Sequence, residues 1–214
     1  MGTAHGTGVG TSAGRGAVIG VVAAACVLLS LLAGRAKPTT GQRVCQAKRV
    51  HLVPAGRLGE GLVDGFTAEE MLSLAHPTAA TAGSWRLSPQ AMRTLAEQSI
   101  TRFHIKGQPG SLARSLSGGN QQRLMLAATP HDTDLLLLDN PTRGLDVPTA
   151  GFIWSWILEQ CERGAGIVVA SNELEELWQH ANRIVVMAQG RLVGEVIPGV
   201  DSMDTLKQLM VGAT

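Results

Sequence analysis

The residues best suited to binding an anion lie in the string LSGGNQQR at positions 116–123, which is followed by an apolar helical pattern. Ser117 can cap this helix, and the two glycines after it allow backbone N–H groups to approach an anion that the helix dipole favours. A Ser-Gly-Gly run by itself is most often only a turn before a helix. The sequence that follows favours the binding interpretation. The candidate binding residues of this string are Ser117, Gly118, Gly119, Asn120 and Gln121.

A second set of polar residues follows two apolar runs further along the chain. The run LLLLD reads as a buried strand that ends in Asp139, where a hard cation such as Mg²⁺ is commonly held through water. The string NPTRGLD, from Asn140 to Asp146, comes next, and Asn172 follows the later run IVVAS. Asp139 is therefore a candidate metal ligand. An aspartate that merely caps the next turn is the alternative.

Alternating apolar runs and helical segments indicate what positions these residues. From Leu135 onward the pattern predicts a strand, a helix from about Pro148 to Cys161, the strand IVVAS, the short helix ELEELWQH, and the strand RIVVMA turning at 189–190 into RLVGEV. Uninterrupted apolar strands separated by helices predict an α/β sheet covered on both faces, with ligands at the carboxyl ends of its strands.

The region from Phe66 to Arg114 reads as helical instead. Ser88 followed by Pro89 predicts a helix start. A stripe at helical spacing after it predicts a core-facing side. The stripe consists of Met92, Leu95, Ala96, Ile100 and Phe103.

Composition excludes several classes of protein. With 214 residues, of which 44% are hydrophobic, the chain has enough apolar side chains for a core, so disorder throughout is excluded. A net charge of +1 gives no reason to expect a nucleic-acid partner. The three cysteines form no CxxC pair and have no clustered histidine, so neither a disulfide framework nor a zinc site is predicted. The four tryptophans are interpreted as packing residues.

The N-terminal segment is unusual in composition. Residues 1–16 are rich in glycine and have almost no large apolar side chain, so we expect them to be flexible. The uncharged stretch from Gly16 to Gly34 is nearly long enough for a membrane span. The competing interpretation divides it into a strand, Ala17 to Val22, and a buried helix from about Ala24 to Ala33 capped by Gly34. We favour the strand and helix.

The order and spacing of these strings resemble the ATP-binding cassette (ABC) ATPases. LSGGNQQR resembles their signature motif, LLLLD their Walker B strand, PTRGLD their D-loop, and SNELEEL their switch segment. Together with VPAGRLGEGLV at 53–63, the chain is most similar to the second cassette of ATPases of simple-sugar and nucleoside importers. The resemblance covers about residues 17–197.

The resemblance implies a fold and a division of the chain. It implies a P-loop NTPase-like α/β domain at 17–200, with an inserted helical subdomain at about 66–130, a C-terminal helix at 201–214, and a truncated or degenerate N-terminal part. It also implies ATP and Mg²⁺ as cofactors. Nucleotide contacts are then expected from residues 117–121 and Asp146, and a metal contact from Asp139.

The departures from the family pattern all affect the chain's own ATP site. A P-loop needs a lysine and a serine or threonine for phosphates and magnesium, but no GK[ST] string exists, and the expected positions fall near Ala25 and Cys26. Asn140 occupies the position of the usual catalytic glutamate, and Asn172 that of the usual histidine. The loop VPAGR, from Val53 to Arg57, also lacks the family's carboxylate.

Taken with these departures, the resemblance implies the ATP-binding component of a sugar or nucleoside importer. Two cassettes face head to tail in such ATPases, and each ATP lies between one P-loop and the opposite signature helix. A chain with an intact signature and a degenerate P-loop can therefore still complete its partner's ATP site. Its partners would be a second cassette, integral membrane permease subunits and, indirectly, an extracytoplasmic solute-binding protein, at the cytoplasmic face of the cell membrane. A competent ATPase with an unusual P-loop and a non-enzymatic membrane-anchored fragment are the alternatives.

Overall fold

A computed structural model describes residues 17–22 and 26–211 of the chain. These residues form one six-stranded sheet with helices packed against it. The strands are β1 (Val18–Val22), β2 (Val50–Val53), β3 (Leu135–Asp139), β4 (Gly166–Ala170), β5 (Arg183–Ala188) and β6 (Arg191–Val196). The helices are α1 (Cys26–Leu32), α2 (Ala68–Ala75), α3 (Pro77–Ala80), α4 (Pro89–Arg102), α5 (Gly118–Ala127), α6 (Val147–Glu162), α7 (Leu174–His180) and α8 (Met203–Val211), with a 3₁₀ turn at Ala113–Ser115.

The strands are arranged in the order β2-β3-β4-β1-β5-β6. The first five are parallel, and β6 returns antiparallel to β5. Gln189 and Gly190 join these two strands with φ values of 50° and 74°. Two consecutive residues with positive φ suit a tight hairpin turn. The predicted α/β sheet and its final hairpin are therefore confirmed.

Apolar side chains of the central strands alternate between the two faces of the sheet. Leu136 and Leu138 of β3 belong to the larger core cluster, while Leu137 between them belongs to a smaller cluster on the other face. The larger cluster includes buried residues of α2, α5 and α6, and the smaller one includes Leu29 of α1. Burial on both sides explains why β3 is apolar from Leu135 to Leu138 instead of alternating with polar residues.

The N-terminal stretch is a strand followed by a helix, as predicted. Strand β1 is buried along its length, and α1 is followed by Gly34 with φ of 74°, where glycine avoids the Cβ penalty. The prediction of a buried helix was wrong, because Leu29 is the one fully buried side chain of α1 and Val27 is 63% exposed. The small core cluster takes up a single side of this helix, which leaves the other side in solvent.

Residues between β2 and β3 are helical wherever they are regular. Thr67 and Glu70 form a reciprocal capping box at the start of α2, and Ser88 accepts a hydrogen bond from the backbone N–H of Ala91 at the start of α4. The predicted start at Ser88 is thus confirmed. The apolar stripe of α4 is buried at Ala96 and Phe103 and partly buried at its other members.

Three tryptophans pack as predicted, and the fourth does not. Trp154 and Trp156 are buried in the core, and Trp178 packs partly against it. Trp85 is 83% exposed, with the guanidinium of Arg86 4.2 Å from the centre of its ring. The interpretation of all four as packing residues was therefore wrong at Trp85. This residue lies in the loop between α3 and α4, beyond the reach of either core cluster.

Within the described ranges, no helix has the length and apolar character needed to cross a membrane. The stretch proposed as a span contains β1 and α1 instead. The expectation of flexibility for residues 1–16 concerns positions outside those ranges, as does the final part of the predicted C-terminal helix.

Candidate functional site

Two candidate residues lie at the carboxyl edge of the sheet. Asp139 ends β3 beside Ala170 of β4. Asn140 follows in the left-handed region with φ of 47°, which asparagine tolerates better than most residues, and its backbone N–H donates to the carbonyl of Ala170 at 2.7 Å. The Asn140 Nδ2 donates to Asp139 Oδ1 at 2.7 Å. The amide of Asn140 is therefore bonded to the carboxylate that ends β3.

Asn172 lies at the same edge. It follows Ser171, whose backbone N–H donates to the carbonyl of Val21 in β1 at 3.0 Å and whose Oγ accepts from the backbone N–H of Glu173 at 3.0 Å. The Asn172 side chain is exposed. Strands β3 and β4 are parallel neighbours, so the residues that follow their carboxyl ends lie at the same edge of the sheet. We call Asp139, Asn140 and Asn172 the sheet-edge group.

The segment after β1 lacks the side-chain types with which a P-loop binds phosphates and magnesium. From Val22 to Leu29 the sequence contains no basic or hydroxyl side chain, so nothing there supplies the cation or magnesium ligand that a P-loop provides. Cys26 begins α1 with an exposed side chain, and Ala25 lies outside the described residues. Residues 17–22 and 26–211 also bring together no group of three or more His, Cys, Asp or Glu that could hold a metal ion.

The signature residues begin α5, where the sequence placed them. Ser117 occupies the N-cap position, but the prediction that its side chain caps the helix was wrong. Its Oγ accepts from Asn120 Nδ2 at 2.8 Å, while Asn120 Oδ1 accepts from the backbone N–H of Lys106 at 2.8 Å. Gln121 is buried and donates to the carbonyls of Ala113 and Leu116. These side chains therefore fix the start of the helix and leave its first backbone donors to other partners.

The two glycines of the signature have different surroundings. A Cβ added to Gly119 would meet its nearest atom, Thr149 Cγ2, at an ordinary 3.6 Å. A Cβ added to Gly118 would lie 3.0 Å from Arg57 Nη1, which is tight. The first N–H groups of an α-helix have no acceptor inside the helix. Space beside Gly119 and unpaired helical donors together make this end of α5 suitable for an anion.

Asp146 caps the next helix beside the signature. Its carboxylate accepts from the Thr149 hydroxyl at 2.8 Å and from the Thr149 backbone N–H at 3.3 Å. The hydroxyl bond is the main cause that lowers the pKa of Asp146 below its usual value. The Thr149 Oγ1 also accepts from Arg123 of α5 at 3.4 Å. Asp146 and residues 117–121 thus form a second set, the signature group.

Residues not singled out from the sequence connect the two groups. Arg57 contacts both α5 and the turn from Asn140 to Asp146. Glu176 of α7 holds the same turn, because its Oε2 accepts from Thr142 Oγ1 at 2.6 Å and from Trp154 Nε1 at 2.7 Å. Neither contact could be found from local spacing, since the partners are separated by tens of residues. Arg57 lies within the loop already quoted for its resemblance, which was the available signal.

A cavity of about 360 Å³ lies apart from both groups. Arg35, His51, Glu60 and Met125 are among its lining residues, and none of the nine candidate residues lines it. Burial is the main cause that lowers the pKa of His51, followed by the positive charges of Arg35 and His76. This environment favours the neutral form of the His51 imidazole. The cavity therefore belongs to neither the sheet-edge group nor the signature group.

The comparison with known protein families agrees with this arrangement. The family model described as ABC transporter matches residues 26–143, which include the signature and Walker B segments. The chain belongs to the ABC transporter family. The matched range begins after β1, at Cys26, and ends within the turn that carries Asn140.

Curated relatives are ATP-binding proteins of sugar import. The arabinose import ATP-binding protein AraG of Azospirillum brasilense is 32% identical over 94% of this chain and 42% of its own length. The ribose import ATP-binding protein RbsA 1 of Streptomyces avermitilis is 34% identical over 84% of this chain and 35% of its own length. The chain thus spans about two fifths or less of these relatives.

Solved structures of ABC cassettes share the fold. The ATP-binding subunit of an ABC transporter has a TM-score of 0.69 and 19% identity, covering 93% of this chain and 88% of its own. A dimeric ATP-binding cassette in a post-hydrolysis state, bound to ADP and Pi, has a TM-score of 0.68 and 18% identity, covering 87% of this chain and 88% of its own. The fold class is therefore that of the ABC cassettes.

Proposed function

We propose that this chain is an ATP-binding component of an ABC importer for simple sugars or nucleosides and that it completes the ATP site of a partner cassette. Two of its relatives are named as arabinose and ribose import ATP-binding proteins, which supports the substrate class. The partners are a second cassette, permease subunits at the cytoplasmic face of the cell membrane, and indirectly a solute-binding protein. ATP and Mg²⁺ are held mainly by the partner cassette.

The observation that carries this proposal is the contrast between the signature group and the segment after β1. The end of α5 offers backbone donors and the positive end of a helix dipole, with open space at Gly119. The segment after β1 has neither the lysine nor the hydroxyl that a bound ATP would need. A chain of this kind contributes to a nucleotide held elsewhere and has little means to hold its own.

Each candidate residue has a role in the proposal. Ser117, Gly118, Gly119, Asn120 and Gln121 present α5 to the partner's phosphates, and Asp146 fixes the D-loop beside it. Asp139, Asn140 and Asn172 belong to the chain's own compromised site. Asn140 cannot accept a proton as a glutamate would, and its amide N–H already bonds to Asp139.

Enlarging Gly119 tests the proposal directly. Gly119→Asp should reduce ATP turnover of the reconstituted transporter, containing the competent cassette and permeases, by roughly 10²-fold or more, because a carboxylate then opposes the partner's phosphate. Gly119→Ala is the matched control for size, since the site has room for a Cβ. Asn140→Gln should change turnover far less.

The results distinguish the possible functions. If Gly119→Asp leaves turnover unchanged, the chain does not complete a partner site. If the purified chain binds and hydrolyses ATP by itself, the competent-ATPase alternative replaces the proposal.

A further inference from the structure

Arg57 joins two segments that are far apart in sequence. Its Nη2 donates to the carbonyl of Arg143, in the turn after β3, at 2.7 Å. Its Nε donates to Gln122 Oε1, one turn into α5, at 3.2 Å. Its Nη1 lies beside Gly118, where an added Cβ would come within 3.0 Å. One guanidinium therefore spans the gap between α5, the signature helix, and the turn from Asn140 to Asp146, which we call the D-loop turn.

Both bonds depend on the shape of the guanidinium. Its N–H groups point in fixed, different directions within one plane, so it can reach two acceptors on separate segments. A lysine ammonium carries the same charge but lacks this rigid fork. Burial lowers the pKa of Arg57, yet an arginine in this setting remains charged at neutral pH.

Two features of this contact set oppose stability. A cation beside the N-terminus of α5 faces the positive end of the helix dipole, which is unfavourable. Gln122 is 2% exposed, and its Nε2 is the one fully buried side-chain polar atom without a hydrogen-bond partner within the described ranges. Leaving a buried donor unpaired costs free energy. Such local conflicts are expected where a site is shaped for function.

We propose that Arg57 is a positioning residue that locks the signature helix to the D-loop turn, so that both segments reach the partner's nucleotide together. The proposal rests on the function proposed above, because it assumes that these two segments act on a nucleotide in the partner cassette. Arg57 acts through Gln122 and the Arg143 carbonyl. Its own contact with the nucleotide is not required.

The first measurement concerns the isolated chain and needs no nucleotide. Arg57→Ala should raise amide hydrogen exchange roughly tenfold in both segments, 120–124 and 142–146, because each loses the bond that ties it to the other. Arg93→Ala is the matched control, since Arg93 is an exposed arginine paired with Glu97 within α4. Faster exchange in one segment alone, or in neither, would overturn the proposal that Arg57 ties the two segments together.

The second measurement uses the reconstituted transporter with the competent cassette and permeases. Arg57→Ala should lower kcat for ATP by roughly 10- to 100-fold, as expected when a reacting group is slightly misplaced. Arg57→Lys should lower kcat almost as much, because lysine keeps the positive charge but lacks the planar set of N–H donors that reaches two acceptors. Guanidinium chloride, at a concentration that does not denature the protein, should restore part of it for Arg57→Ala, whereas sodium chloride at equal concentration should not.

A third variant separates positioning from stability. Gln122→Met removes both the acceptor for Arg57 and the unpaired buried donor while keeping a similar volume. It should leave the melting temperature unchanged or higher, yet reduce turnover. Its effect should not add to that of Arg57→Ala, because both variants break the same contact. A lower melting temperature with unchanged turnover would indicate a purely structural contact and overturn the proposal.

Failure of this inference can be told from failure of the proposed function. If Gly119→Asp abolishes turnover while Arg57→Ala does not reduce it, the function stands and the positioning role is wrong. If Gly119→Asp has no effect, the proposed function is wrong, and the positioning role for it falls as well, whatever the exchange data show.

Discussion

The turn from Asn140 to Asp146 links the sheet-edge group to the signature group, yet the two groups differ in what they can do. At the sheet edge, the Asn140 amide donates to Asp139. The segment after β1, where the resemblance places a P-loop, contains alanines and no lysine. At the signature, side chains of α5 are engaged with neighbouring backbone while the space at Gly119 stays open. This contrast underlies the proposal that the chain contributes to a nucleotide held mainly by a partner cassette.

The fold around the sheet-edge group does not depend on phosphate-binding side chains. Strand β3, which ends at Asp139, and strand β4, which ends two residues before Asn172, are held by burial of apolar side chains on both faces, which does not depend on catalytic side chains. The turn between the groups is held by Glu176 and Arg57. Loss of phosphate chemistry after β1 is therefore compatible with a well-formed signature.

The largest expected effect concerns hydrolysis by the chain alone. Without the P-loop lysine and a general base, phosphate release with magnesium should stay at background, since loss of base help alone costs about 10²- to 10⁴-fold. Asn140→Glu should also stay at background, because the phosphates remain poorly neutralised and groups that act as a unit are not additive. Turnover near 1 s⁻¹ that Asp139→Ala abolishes would remove the contrast between the two groups.

An intermediate effect is expected at the turn that joins the groups. Thr142→Val removes the hydroxyl donor to Glu176 from a residue that is 4% exposed, and should lower the free energy of unfolding in urea by about 1–3 kcal/mol. Thr101→Val is the matched control, because its hydroxyl bonds to a carbonyl on the exposed side of α4. A loss no greater than that of the control would mean that Glu176 does not anchor the turn.

The smallest effect is the pH dependence of the Asp146 cap. The pKa of Asp146 in the folded chain lies below its usual value of 3.8, so its carboxylate stabilises the fold above that pH and the stabilisation is lost as pH falls through the folded pKa. Asp146→Ala should lower the melting temperature by a few degrees at pH 7 and by less near pH 3, with Asp146→Asn in between. Asn172→Ala, at the exposed sheet edge, should change neither value.

Much of this protein could be predicted from its sequence because the signals were local. A continuous apolar run such as that of β3 indicates a strand buried on both faces, and Ser88 before Pro89 marks a helix start. The string from Ser117 to Gln121 indicated a helix that begins with accessible backbone donors. The absence of a lysine from the segment after β1 could also be read directly, because residue types are given by the sequence alone.

Other features depended on contacts that no local pattern records. Strand β2 is too short and too polar at His51 to stand out, and its pairing with β3 makes it a strand. Trp85 has the composition of a core residue, but its loop lies outside the core. The pairing of Ser117 with Asn120, the bond from Asn140 to Asp139 and the bridge made by Arg57 all arise from tertiary positions. The sequence by itself determined which chemistry is present, through residue types, burial patterns and helix signals. Only the tertiary structure decided which donors remain open and which are occupied, because hydrogen bonding depends on distance and direction between segments that are remote in sequence.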